Sequence, residues 1–175
     1  MKLSLAYYGN PILRQKGARV ETIDDDFRQF VQDMIETMVA ERGMGLAAPQ
    51  VNRCIALFIT HVPSHDEEKD EWIEGPLRIF VNPKILERTE EEWIQDEGCL
   101  SLPGIRGDVM RPYGLKIEYM DLEGKMRTET YEGLEARCIM HENDHINGTL
   151  YIDRMHPKDR KEIENVLRAI KKKFN

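Results

Sequence analysis

The chain has 175 residues, 41% of them hydrophobic, and a formal net charge of −7 at pH 7. That is enough for one domain with its own core, spanning residues 1–175. The acidic balance excludes the broad basic face that DNA binding needs.

No apolar run reaches the roughly 18 residues of a membrane span. The opening "MKLSLAYYGNPILRQKG" reads as neither a signal nor a transit peptide. Three cysteines are an odd count for a disulfide framework, so free thiols in a cytoplasmic protein are expected. "DDDFRQFVQDMIETMVAERG" is the clearest helix: Phe27, Phe30, Val31, Met34, Ile35 and Met38 recur at helical spacing, aspartates open it, and Gly43 is placed to end it. "CIALFIT" (54–60) and "LRIFVNPKIL" (77–86) read as strands, and the polar "HVPSHDEEKDEWIEGP" between them as a solvated loop. "LKIEYMDLEGKMRTETYEG" alternates in period two about Glu123-Gly124, a hairpin. A helix over 135–147 with Gly148 at its end follows. After Pro157 comes a last helix with Ile163, Val166, Leu167, Ile170 and Phe174 on one face. The order predicts a single α+β domain with mostly antiparallel strands and amphipathic helices near both ends.

"HENDH" lies on the second of these helices. Residues four apart share a helix face, so His141 and His145 can converge on one ion, while Glu142 is turned by roughly 100° and can lean over a bound water. The bland alternative is a pair of exposed helix histidines beside an ordinary surface glutamate. His61 and His65 repeat the spacing but flank Pro63 in a polar segment and read as decoration.

A catalytic site needs three protein ligands and an open position. Position 151, where an elongated motif of this kind places its third histidine, is tyrosine. Cys138 lies one turn below His141, badly placed to reach an ion held by His145, and reads as a small buried residue. Cys54 opens an apolar strand and reads as core. Cys99, in "DEGCLSLPG", remains as the candidate, with Gly98 permitting close backbone approach. "GMGLAAPQ" (43–50) superficially matches a dinucleotide fingerprint but follows a helix and leads into a strand, the reverse of that motif's context. Its glycines suit close approach to a ligand backbone. Gln50 offers an uncharged N–H to a developing oxyanion, unless it is merely an exposed turn residue.

Together "GMGLAAPQ" (43–50), "EGCLS" (97–101) and "HENDH" (141–145), in this order, resemble the peptide deformylases. The resemblance extends to "YYGNPILRQKGARV" near the start and "GTLYIDRM" after the metal helix. It implies Cys99, His141 and His145 as metal ligands, Glu142 as general acid/base, and Gln50 with the Leu100 N–H as oxyanion hole. It implies Fe²⁺ as the ion, with zinc, nickel or cobalt as substitutes, and formyl-methionyl nascent peptides as substrates that release formate. The methionine slot would be walled by Met44, Leu134 and Cys138, with Gly45 and Gly98 close to the peptide. One position departs from the family pattern: Met140 stands before His141 where glutamine is usual. The basic "RAIKKKFN" end suits a helix dipole, and through the resemblance also a ribosome contact by Arg168, Lys171, Lys172 and Lys173. Against a zinc endopeptidase stands the upstream Cys99. Against a closed structural metal module stands the lack of a fourth ligand.

Overall fold

The computed structural model describes residues 1–175. A first helix, α1 (Asp25–Ala40), is capped by Asp24, whose Oδ1 accepts from Phe27 N at 2.8 Å. Phe27, Val31, Met34 and Met38 form its buried stripe and pack on Leu46, Leu57, Ile59 and Val81. The helix does not end on Gly43 as its glycine suggests. Arg42 takes the left-handed turn at φ 57°, and Gly43 N then donates to Met38 O at 2.9 Å, closing a Schellman-type cap.

The main sheet has five antiparallel strands in the order β1 (Gly45–Ala47), β2 (Leu57–His61), β5 (Leu77–Arg88), β8 (Gly114–Met120), β9 (Met126–Glu132). β8 and β9 form the expected hairpin, with Gly124 at φ 80° in its turn. Two separate hairpins are β3 (Ser64–Asp66) with β4 (Glu71–Ile73), and the longer β6 (Glu92–Cys99) with β7 (Leu102–Pro112). Residues 62–76 are therefore not wholly loop, although β3 and β4 lie mostly exposed. β2 starts three residues later than the periodicity suggests. Cys54 precedes it, half-buried, with its thiol 3.4 Å from Lys16 O rather than in the core.

The second long helix, α2 (Gly133–His145), is buried on nearly every side. Ala136, Ile139 and Met140 press on Phe58, Phe80, Ile117, Tyr119 and Tyr131 of the main sheet. Met140, the residue that departs from the family pattern, is thus simply core. The other face of α2 carries Arg137, His141 and His145, which turns these polar side chains inward and obliges them to find partners. Beyond it, Leu102, Val109, Leu150, Tyr151, Ile152 and Met155 form a third cluster that joins β7 to the chain's C-terminal end.

The final helical stretch is broken at Ile163 into α3 (Pro157–Glu162) and α4 (Glu164–Phe174). Leu167 and Ile170 are buried, but Val166 points outward at 42% exposure, so the predicted apolar face is narrower than its spacing suggests. Phe174 stacks on Tyr7 at 3.9 Å between ring centroids. No helix is long and apolar enough to cross a membrane. The whole is the α+β architecture that the element order predicts.

Candidate active site

Three elements meet at a cavity of about 300 Å³: the segment through β1, the end of β6, and the inner face of α2. Its lining includes Met44, Gly45, Gln50, Gly98, Cys99, Leu100, Leu134, Cys138, His141 and Glu142, which is every site residue expected from the sequence except His145. His145 is 1% exposed and lies one turn further along α2.

The donor atoms of Cys99, His141 and His145 all lie within 4.8 Å of one another. Cys99 Sγ is 3.2 Å from His145 Nε2. Cys138 is not part of this group; its thiol sits 3.5 Å from Met44 O, and burial pushes its pKa well up. His61 and His65 are remote in role as well as sequence, pairing with Glu74 and Asp70 near the surface hairpin.

His141 Nδ1 is 2.8 Å from Glu97 Oε1. A carboxylate accepts, so Nδ1 carries a proton, which leaves Nε2 as the ring nitrogen that faces an ion, the orientation a metal ligand needs. Burial pushes the Glu97 carboxyl up, but hydrogen bonds from His141 and Arg111 outweigh it and hold it well below the usual carboxylate range. Arg111 donates to Glu97 at 2.6 and 2.9 Å and to Asp144 at 2.9 Å; Arg154 donates to Asp144 at 2.6 and 2.8 Å. The result is a chain of alternating charge, buried except at its Arg154 end, that fixes the first histidine. His145 has no such partner: its Nδ1 is buried and unbonded. Burial and the neighbouring His141 push its pKa well down. A thiol and two imidazoles whose donor atoms converge suit Fe²⁺, Zn²⁺ or a similar ion.

Glu142 is 3% exposed, and its Oε1 has no hydrogen-bond partner. Burial pushes its pKa up to about 7. Gly45 makes room for it: a Cβ at that position would stand 2.5 Å from Glu142 Oε2. Gln50 is 1% exposed, not the exposed turn residue of the bland reading. Its Oε1 accepts from Ala47 N at 2.9 Å, which aims Nε2 at Cys99 Sγ (3.4 Å) and Ser101 Oγ (3.2 Å).

Sequence reasoning missed Glu97, Arg111, Arg137, Asp144 and Arg154 as parts of the site. Glu97 lies inside the quoted "EGCLS" segment, and Arg137 falls one turn before His141 on its stripe; those positions were the available signals.

A buried, unpaired carboxylate beside a thiol and two imidazoles on a His-Glu-x-x-His helix defines a metal-dependent hydrolase. Residues 2–161 match the family model described as polypeptide deformylase. A peptide deformylase of Rhizobium meliloti (strain 1021) is 44% identical over 144 residues, covering 82% of this chain and 79% of the relative. One from Christiangramia forsetii is 40% identical over 178 residues, covering 98% and 91%. Among solved structures, the Plasmodium falciparum peptide deformylase superposes with TM-score 0.88 at 35% identity, covering 98% of this chain and 96% of the other. That of Ehrlichia chaffeensis gives 0.88 at 32%, covering 99% and 97%. The chain belongs to the peptide deformylase family, and its activity is that of a deformylase acting on formylated peptides.

Proposed function

We propose that Cys99, His141 and His145 hold a ferrous ion and that the whole of residues 1–175 forms one catalytic domain, which removes the formyl group from formyl-methionyl nascent chains in the cytoplasm. One observation carries the reading: three convergent ligand atoms with a buried, unpartnered carboxylate beside them and a cavity in front. When bound, such an ion supplies Lewis-acid activation of water and of the formyl carbonyl.

The chain's own residues do the rest. Glu142 takes a proton from the attacking water and returns it to the departing amine, and a carboxyl with a pKa of about 7 is suited to both duties. As the carbonyl oxygen becomes negative, Gln50 Nε2–H and the Leu100 backbone N–H donate to it, each worth about 3 kcal/mol of barrier. The contact from Ala47 N holds the Gln50 carboxamide in the required rotamer. Met44, Leu134 and Cys138 receive the methionine side chain, and Gly45 and Gly98 let the peptide backbone come close. Cleavage of the amide gives formate and a free amino terminus.

Formate release from formyl-Met-Ala, against unformylated Met-Ala and on metal-analysed protein, tests this. Rapid formate production only from the formylated peptide supports it, and hydrolysis of the internal Met-Ala bond would favour an endopeptidase. Ferrous iron beside a thiolate reacts with oxygen and zinc does not, so decay of activity in air distinguishes the two ions.

The nascent chain emerges at the ribosome, and a docking role for α4 follows the same reading. Lys171, Lys172 and Lys173 are exposed, none has an acidic partner, and the opposite face of the helix is held by Leu167 and Ile170. Steep salt dependence of co-sedimentation with ribosomes, lost on changing these lysines to glutamine, supports that contact.

A further inference from the structure

The cavity beside the triad is more polar than a slot for a methionine side chain requires. Met44, Leu134 and Cys138 supply apolar wall, but Arg137 and Gln95 line it too. Arg137 stands one turn before His141 on the same stripe of α2. Its side chain is 3% exposed. Nη1 donates to Glu97 Oε2 at 2.7 Å and to Val109 O at 2.9 Å, and Nη2 donates to Trp93 O at 2.7 Å. The guanidinium also lies over the Trp93 ring, 4.9 Å from its centroid. Of the two N–H donors that remain, Nε–H is buried with no partner. Buried donors are rarely left unmet in folded proteins, and this one belongs to a residue that lines the cavity. On β6, Gln95 lies two residues before Glu97 and so on the same face of the strand, where it adds an uncharged donor at the cavity wall.

An apolar wall combined with an unsatisfied donor matches a side chain with an aliphatic stem and an acceptor near its tip. A methionine thioether is a weak acceptor. Its sulfoxide is polar, with an oxygen that accepts strongly. We propose that Arg137 is the specificity-determining residue of the side-chain pocket, and that the site therefore takes peptides beginning with N-formylmethionine sulfoxide as well as N-formylmethionine. This rests on the deformylase activity and adds a substrate class to it. In a wholly apolar slot the sulfoxide oxygen would be buried without a partner, a loss of roughly 10- to 100-fold in specificity. With Arg137 Nε–H to meet it, the loss is largely recovered.

The test compares kcat/KM for formyl-Met-Ala, formyl-norleucine-Ala and formyl-Met(sulfoxide)-Ala on metal-loaded protein. The sulfoxide peptide is expected within about tenfold of the methionine peptide, and norleucine, which has the same shape but no acceptor, about threefold or more below methionine. Arg137→Met removes the donor and keeps the bulk. Arg137→Lys keeps a cation for Glu97 but has no Nε–H. Both should reject the sulfoxide by a further factor of about 10 or more relative to methionine, and both should treat norleucine and methionine nearly alike. Calorimetric binding of the product peptides Met-Ala and Met(sulfoxide)-Ala reads the same preference without turnover. More than about tenfold rejection of the sulfoxide by the wild-type protein overturns the proposal, and this comparison needs no folded variant. So do unchanged ratios in folded variants. Rapid turnover of formyl-Met-Ala with rejection of the sulfoxide removes this inference alone, whereas no formate from any peptide removes the deformylase reading with it.

Discussion

Replacing Gly45 with alanine puts a methyl group where Glu142 already stands. The added Cβ would lie 2.5 Å from Glu142 Oε2, 2.9 Å from its Cγ and 2.9 Å from Cys138 Sγ. Ordinary contact begins near 3.4 Å, so the carboxylate must retreat by about 0.9 Å, and at 3% exposure it has little room to do so. Gly45 has no left-handed φ to lose, so crowding is the whole perturbation. A displacement of about 1 Å at a reacting group costs on the order of 100-fold in rate. Overpacking should also cost about 1–3 kcal/mol of stability. The three atoms nearest the Cβ belong to Glu142 and Cys138 and not to Cys99, His141 or His145, so metal content should stay as in wild type. Steady-state formate release, metal analysis and urea unfolding on one preparation measure all three effects. A kcat within about threefold of wild type would refute the reasoning, because Glu142 would then act without its observed position.

Two further substitutions probe the scaffold. Cys99→Ala should abolish stoichiometric metal while Cys138→Ala keeps it, as elemental analysis would show; the opposite pattern would reassign the sulfur ligand. Arg111→Leu strips one partner from Glu97 and Asp144, both buried, and should cost about 3 kcal/mol in urea unfolding. The remaining bonds from Arg137, His141 and Arg154 keep the loss near the lower end of the range for such pairs. A loss below about 1 kcal/mol would mean that the charge network is not what fixes His141.

The convergence of His141 and His145 was legible because helical spacing alone brings residues 141 and 145 to one face, and the helix is long enough to hold both. Cys99 and Gln50 were legible because a cysteine and a glutamine stood in short segments that no core pattern explained. The support beneath them was not. Arg111, Arg137, Asp144 and Arg154 look like surface charges in the sequence, since nothing local tells a buried ion pair from a solvated one. The first three are buried, with Arg154 reaching Asp144 from the surface, because α2 is enclosed by the main sheet on one side and by β6 and β7 on the other, a consequence of packing between distant segments. The β6–β7 hairpin escaped notice for a related reason. It is a two-stranded ribbon with much of its surface in water, so polar residues such as Glu92, Gln95 and Asp96 erase the alternation that marks a half-buried strand. The break at Ile163 was hidden because the apolar spacing runs through it unchanged.

The account stands most directly on Glu142→Gln, which preserves size and leaves the three proposed ligands intact. Wild type and variant should carry the same metal, one ion per chain, and the variant should release formate from formyl-Met-Ala about 100- to 10,000-fold more slowly, the share a positioned acid/base contributes. Turnover within about tenfold of wild type, at equal metal content, would contradict the claim that this buried carboxylate moves the protons.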